Sequence, residues 1–324
     1  MLSGKLTIRR TIHFLGSAIV IASMMAIIGS YQGAPAADKR QKEFKSPEEA
    51  VKRLMDALKV NDTKELSAIF GPEGKELISS GDEVADKAGR ERFVKAYEEM
   101  NKLVEESDKK VTLHVGNEDF PFPVPIVKVK EKWLFDTKAG KEELLNRRIG
   151  RNELNAIQVC LAYVDAQREY AMKDRDSDKL LEYAQKFGST KGKKDGLYWE
   201  AKKGEEQSPL GALAARAVEE GYKARKPGDN PTPYHGYLYK ILKAQGKNAP
   251  GGAYDYVVKG KMIGGFALVA YPAQFGASGV MTFIVSHDGV VYEKDLGKET
   301  DKIAQAMMKF DPDKTWKKVE QGSH

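Results

Sequence analysis

One cysteine, Cys160, serves all 324 residues. A disulfide within the chain is therefore excluded, even in a compartment that would permit one. A zinc site built on paired thiolates is excluded with it. Histidine is scarce as well, at five residues. H-E-x-x-H and the phosphate-binding G-x-x-x-x-G-K-[ST] are both missing. Gly276-Ala277-Ser278-Gly279 lacks the spacing of a G-x-S-x-G nucleophile elbow. These absences point away from an enzyme.

Charge of one sign is not in excess either. Three basic residues, Lys5, Arg9 and Arg10, precede an apolar run at 14–28, and residues 1–37 hold no Asp or Glu. Small residues follow at Gly33-Ala34-Pro35-Ala36-Ala37. A positive segment, a short apolar core and a small-residue cleavage site define a secretory signal peptide. The apolar run falls short of the roughly 20 residues that a membrane span needs. Residues 1–37 are thus expected to be removed after Ala36 or Ala37, leaving no membrane span and a periplasmic or extracellular protein. Arg9-Arg10 could open a twin-arginine signal, but its hydrophobic pair is displaced from the usual place, so an ordinary n-region is the better reading. Cleavage leaves +3 of the formal +6 charge. That near-neutrality gives no basic face for nucleic acid.

What is present divides the rest of the chain into an α+β domain at 38–140 and a second at 141–324. Ser46-Pro47-Glu48-Glu49 is a helix start, with Ser as N-cap, Pro at N1 and Glu at N3. A second short helix is expected after Asn61-Asp62, and a third from Arg90 to Val104. Val111–Val115, 126–130 and 132–136 alternate as strands. Pro121, Pro123 and Pro125 restrict their stretch to an edge or an extended loop. Helices followed by a curved antiparallel sheet, closing on Glu131-Lys-Trp-Leu-Phe-Asp136, is similar to the cone-shaped NTF2-like folds. His114, Asp119 and Trp133 are candidate lining residues of such a cone, which would suit a small-ligand carrier.

The second domain opens with a long helical stretch, 141–184, with a break permitted at Gly150 and an interruption at 173–178 before a short helix at 179–187. Cys160 falls near the apolar face of this helix and reads as a small buried hydrophobe. An Ala-rich helix is expected at 209–221. Strands are expected at 237–242, 254–258, 266–271, 280–286 and 290–294. Asp288-Gly289 is a hairpin turn, and a helix at 298–309 follows. One long helix on an antiparallel meander is a pilin-like architecture.

Several stretches carry a family resemblance: Ser80-Gly-Asp82, Asn152-Glu-Leu-Asn-Ala-Ile-Gln-Val159, Lys194-Asp-Gly-Leu-Tyr-Trp199, Pro233-Tyr-His-Gly-Tyr237 and Gly264-Gly-Phe-Ala-Leu-Val-Ala-Tyr-Pro-Ala273. With them the chain resembles a bacterial family of secreted proteins of unknown function. The resemblance implies an envelope location and no established activity.

Two clusters suggest sites. Asp174-x-Asp176-x-Asp178, followed by Glu182, offers the closely spaced carboxylates that calcium takes. Lys179, however, stands where a calcium loop has Gly. Apart from calcium, no cofactor is suggested. Tyr234, His235 and Tyr237, beside a Pro-rich loop, form an aromatic cluster suited to ligand or partner contacts. The reading is a non-enzymatic binding or assembly module of the cell envelope, meeting an envelope protein or a second copy of itself. The alternatives are the small-ligand carrier and an envelope-polymer hydrolase using Glu118 and Asp119 with His114.

Overall fold

The computed structural model describes residues 41–202, 204–223 and 231–320. The expected signal peptide lies outside the described residues. The protein is α+β, as the sequence pattern predicts.

The first half is built in the expected order. Helix α1 (Pro47–Lys59) starts where Ser46 Oγ accepts from the Glu49 N–H. The Glu49 carboxylate accepts from the Lys45 N–H, one residue earlier than the Ser46 N–H of a standard capping box. Asp62 caps α2 (Thr63–Phe70). A short helix, α3 (Lys75–Ile78), follows. Helix α4 (Glu83–Glu99) is capped by Asp82. It starts earlier and ends earlier than the pattern predicts. Met100 is already extended, and Val104 lies in strand β1 (Asn101–Ser107) rather than on a helical face.

The first sheet contains β1, β2 (Lys110–Val115), β3 (Phe120–Pro121), β4 (Ile126–Val129) and β5 (Lys132–Phe135). All its pairings are antiparallel, in the order β1-β2-β4-β5, with β3 against β2. Phe44 extends the edge by exchanging backbone hydrogen bonds with Trp133. Leu54, Leu66, Ile69, Leu113, Ile126 and Phe135 form this half's buried core.

Helix α5 (Thr137–Tyr170) links the halves as 34 unbroken residues, about 50 Å at 1.5 Å per residue. Gly150 does not break it, because the intrahelical bonds run through. The boundary expected after residue 140 lies within its first turns. There Gly140 has no room for a side chain: a Cβ would meet the Pro123 carbonyl oxygen at 2.3 Å.

After Tyr170 the chain does not resume as a helix at 179–187. The Asp174 carboxylate accepts from the Ser177 and Lys179 N–H groups. Both residues take left-handed backbone, with φ of 63° and 71°. Buried Gln167 then clamps Ala184 through both its N–H and its carbonyl. Helix α6 (Gly211–Glu219) is the expected Ala-rich helix.

Strand β6 (Tyr237–Leu242) enters the second sheet. Short pairs follow: β7 (Ala244–Gln245) with β8 (Tyr254–Asp255), and β9 (Val257–Val258) with β10 (Lys261–Met262). Strands β11 (Ala267–Pro272), β12 (Met281–Ser286) and β13 (Val291–Asp295) complete the meander. Helix α7 (Thr300–Ala306) is shorter than the 298–309 expected. The Lys240 ammonium donates to the carbonyls of Ala304, Gln305 and Met307 at its C-terminal end. Strand β14 (Lys317–Lys318) adds an edge, so the order is β14-β13-β12-β11-β6, all antiparallel. The later turns of α5 pack on β11 and β12. Cys160, Tyr163, Phe266, Val269, Phe283 and Ile284 lie in that second core.

Candidate functional site

Motif residues from three distant stretches meet where the two halves touch. Asp82, buried at the start of α4, accepts from Ala85 N–H, from Tyr222 Oη at 2.9 Å and from Gly236 N–H at 2.7 Å. Tyr222 Oη in turn accepts from His235 N–H at 3.1 Å. Gly236 is held at φ 77°, and a Cβ there would meet Asn152 Nδ2 at 2.5 Å. Asn152, buried on α5, donates to the Ser278 carbonyl. His235 itself takes φ 51°, a conformation rare outside glycine and found more often for His and Asn. Its Nε2 lies 3.2 Å from Glu220 Oε2. Burial holds its pKa below the ordinary value, against the pull of Glu220 and Asp82.

Above this joint is a cleft of about 170 Å³. Ser80, Arg92, Arg148, Arg151, Asn155 and His235 are among its lining residues. Arg148 is fixed by donating to the Glu76 and Leu77 carbonyls, and Arg90 donates to that of Ile78. Together they satisfy the open carbonyls at the end of α3. Asp86 is the nearest carboxylate, and it accepts from the Ser80 N–H. Arg92 and Arg151 make no hydrogen bond or ion pair among the described residues. Burial lowers the pKa of Arg148, and Arg151 and Arg90 add to the effect against Asp86. Burial and neighbouring Arg92 lower that of Arg151. Three arginines line the cleft with two carboxylates, Asp86 and Glu220, and guanidinium forks match planar anions in two-point contact.

The residues singled out in the sequence are placed as follows. His235 lines the cleft with Tyr222, and Tyr234 packs against both, the ring centroids 4.1–6.0 Å apart. Burial pushes the Tyr234 hydroxyl up to about 12. Tyr237 is not with them: it is fully buried and donates to the Met281 carbonyl, so it is core and no contact residue. His114 and Trp133 do not share a pocket. The register aligns Val111, Ile126 and Phe135 on one face. Trp133 follows Phe135 onto that face, whereas His114, between Leu113 and Val115, points to the other.

His114 Nδ1 does lie 3.1 Å from Asp119 Oδ1, and Lys102 Nζ lies 2.8 Å from Oδ2. Lys102 first, then His114, hold Asp119 below its usual range. A glycosidase acid needs the opposite shift. Glu118 is exposed beside them.

The acidic turn is already provided with a cation. Asp174, Asp176 and Asp178 each bring a carboxylate oxygen to within 4.8 Å of the others. The Lys261 ammonium contacts Asp176, Asp178 at 2.7 Å and Glu182 at 3.3 Å. A calcium ion entering there would have to displace that ammonium. Buried Cys160 is held protonated, its thiol pushed up to about 12 by desolvation.

The motifs Ser80-Gly-Asp82, Asn152 to Asn155 and Tyr234 to Tyr237 stand out in the sequence, yet it did not tell that they meet. Arg92, Arg148, Arg151, Glu220 and Tyr222 carried no signal of their own. With its fold and cleft defined, the chain belongs to DUF2950, a family of proteins of unknown function, which matches residues 41–319. No curated protein and no solved structure matches it.

Proposed function

We propose that this chain is an exported, non-catalytic binding module of the bacterial cell envelope that takes an anionic group into the cleft between its two cores. The observation that carries this reading is the convergence of Arg92 from α4 with Arg148 and Arg151 from α5 around one cleft, with Asp86 engaged by the Ser80 backbone. Like charges brought together repel, and an anion held between them relieves that cost. In this reading residues 1–37 are a signal peptide, and the family match begins after the expected cleavage point. The first half acts as an NTF2-like unit and the second as a pilin-like one. The second presents the long helix and sheet for contact with an envelope protein or another copy.

The protein recovered from its host is expected to begin at Ala37 or Asp38 on N-terminal sequencing. Inorganic pyrophosphate, at low salt, is expected to raise the unfolding temperature of the wild type. A ligand at 100 times its dissociation constant adds about 2.7 kcal/mol. The rise is expected to vanish in the Arg92→Gln/Arg151→Gln double variant. An equal rise in that variant, or none in the wild type, overturns the cleft as the site.

A further inference from the structure

A second cavity of about 270 Å³ opens beside the cleft, inside the first half. Phe70, Phe93, Phe122, Leu77 and Leu144 form its apolar side, and Asp86 and four arginines complete the lining. Phe93 and Phe122 lie edge-tilted with centroids 5.0 Å apart. Packed interiors hold few voids larger than a water molecule, which takes about 30 Å³. This pocket opens to solvent and sits near the lower end of the range for ligand pockets, roughly 300–1,000 Å³.

The mouth of the apolar pocket is cationic. Arg147 lies over the Phe120 ring, its Cζ 4.4 Å from the centroid, and pairs with Glu143. Arg148 and Arg151 line this pocket and the arginine cleft alike, as do Ala85 and Asp86. Those four residues form a wall common to both spaces. Arg148 is immobilised by its two carbonyl bonds. Arg151 has no partner among the described residues. Glu220, which lines the cleft, accepts from Arg216 at Oε1, while its buried Oε2 lies 3.2 Å from His235 Nε2 without a hydrogen bond. An apolar chamber opening onto a row of oriented guanidinium groups matches one ligand shape: a hydrocarbon end and an anionic end.

We infer that the cleft and the phenylalanine pocket form one bipartite site for a short, single-tailed carboxylate amphiphile, its tail among Phe70, Phe93 and Phe122 and its carboxylate on Arg148 and Arg151. The inference rests on the reading of the cleft as an anion site. A pocket of this size holds one short tail and not the two acyl chains of a bilayer lipid, so the ligand is a free amphiphile and not a membrane surface.

Titration of the purified protein with sodium decanoate below its micelle concentration, followed by calorimetry, tests this. Saturable one-site binding is expected. Decanol and decyltrimethylammonium are expected to bind about tenfold or more weakly, because neither offers the arginines a charged acceptor. Arg151→Gln, a change on the exposed side of α5, is expected to weaken decanoate by about the same factor. Leu58→Trp fills the pocket from α1, at a residue that lines the pocket and not the cleft. It is expected to abolish decanoate binding while leaving the pyrophosphate effect intact. Equal binding of decanol and decanoate, an unchanged Arg151→Gln affinity, or sedimentation with anionic phospholipid vesicles without decanoate binding would overturn the inference. If pyrophosphate binds and decanoate does not, the amphiphile falls and the anion cleft stands. If neither binds, both fall.

Discussion

The Asp82 carboxylate has three donors on it, and two of them come from more than 100 residues away in sequence. Hydrogen bonds to a charged acceptor are worth about 1.5–3 kcal/mol each when they replace solvation. Asp82→Asn keeps the shape but turns a donating amide toward at least one of these N–H or O–H groups. It is expected to cost about 2–3 kcal/mol in urea unfolding, since a buried donor then loses its acceptor. Tyr222→Phe, which leaves the bonds to Ala85 and Gly236, is expected to cost less. A larger loss in Tyr222→Phe than in Asp82→Asn would show that the hydroxyl, and not the carboxylate, organises the joint. At this scale the sequence was readable where a residue answers to its near neighbours. Ser46 caps α1 because the Glu49 N–H is three residues on. Cys160 is buried because it follows the apolar repeat of its helix. Tyr237 alternates like a surface aromatic, yet the second sheet turns it inward, and nothing nearby in sequence signals that.

Helix α5 carries the clearest lesson about elements. Glycine in a helix interior is costly because it gives up more backbone freedom than other residues, and Gly150 looked like a break for that reason. The helix continues because it is packed at both ends, on α3 and the first core before Gly150 and on β11 and β12 after it. No heavy atom lies within 4 Å of where a Gly150 Cβ would be. Gly150→Ala is therefore expected to stabilise the protein by about 0.5–1 kcal/mol, read as a raised urea midpoint with an unchanged slope. A fall in the midpoint would mean that the glycine is needed for a bend. The failure to resume a helix at 179–187 is the reverse case. The helical pattern is present there, but Asp174 draws two backbone N–H groups to itself and Gln167 takes the next polar groups into the core.

At several places across the molecule, a carboxylate is held below its ordinary range by neighbouring cations. Hydrogen bonds from Lys173, Lys194 and Arg175 do this to Glu206. Burial pushes Asp195 upward, but hydrogen bonds from Lys186 and Thr190 outweigh it and bring it to about 2. Lys141 lowers Glu76, and Lys261 lowers Asp178. Each folded value lies below the unfolded one. The stabilisation is therefore fully present above the ordinary values of 4.5 and 3.8 and is lost as pH falls through the folded values. Urea midpoints are expected to hold steady from pH 7 to 5 and to drop between pH 4.5 and 2. The gap between wild type and Glu206→Gln is expected to narrow over that same fall. An undiminished gap at pH 3 would show that Glu206 acts through packing rather than charge.

The sequence by itself determined the α+β class, most of the helices and strands, the Asp288-Gly289 hairpin and the burial of Cys160. These follow from caps, turns and apolar repeats whose partners lie within a few residues. Only the tertiary structure decided that Arg92 on α4 faces Arg148 and Arg151 on α5, that Lys261 enters the acidic turn from 79 or more residues away, and that His114 and Trp133 lie on opposite faces of one sheet. An arginine or a lysine reads the same in sequence whether it meets water or another guanidinium. Its chemistry is set by what the packed halves bring against it, and that depends on contacts across more than fifty residues, which no local pattern encodes.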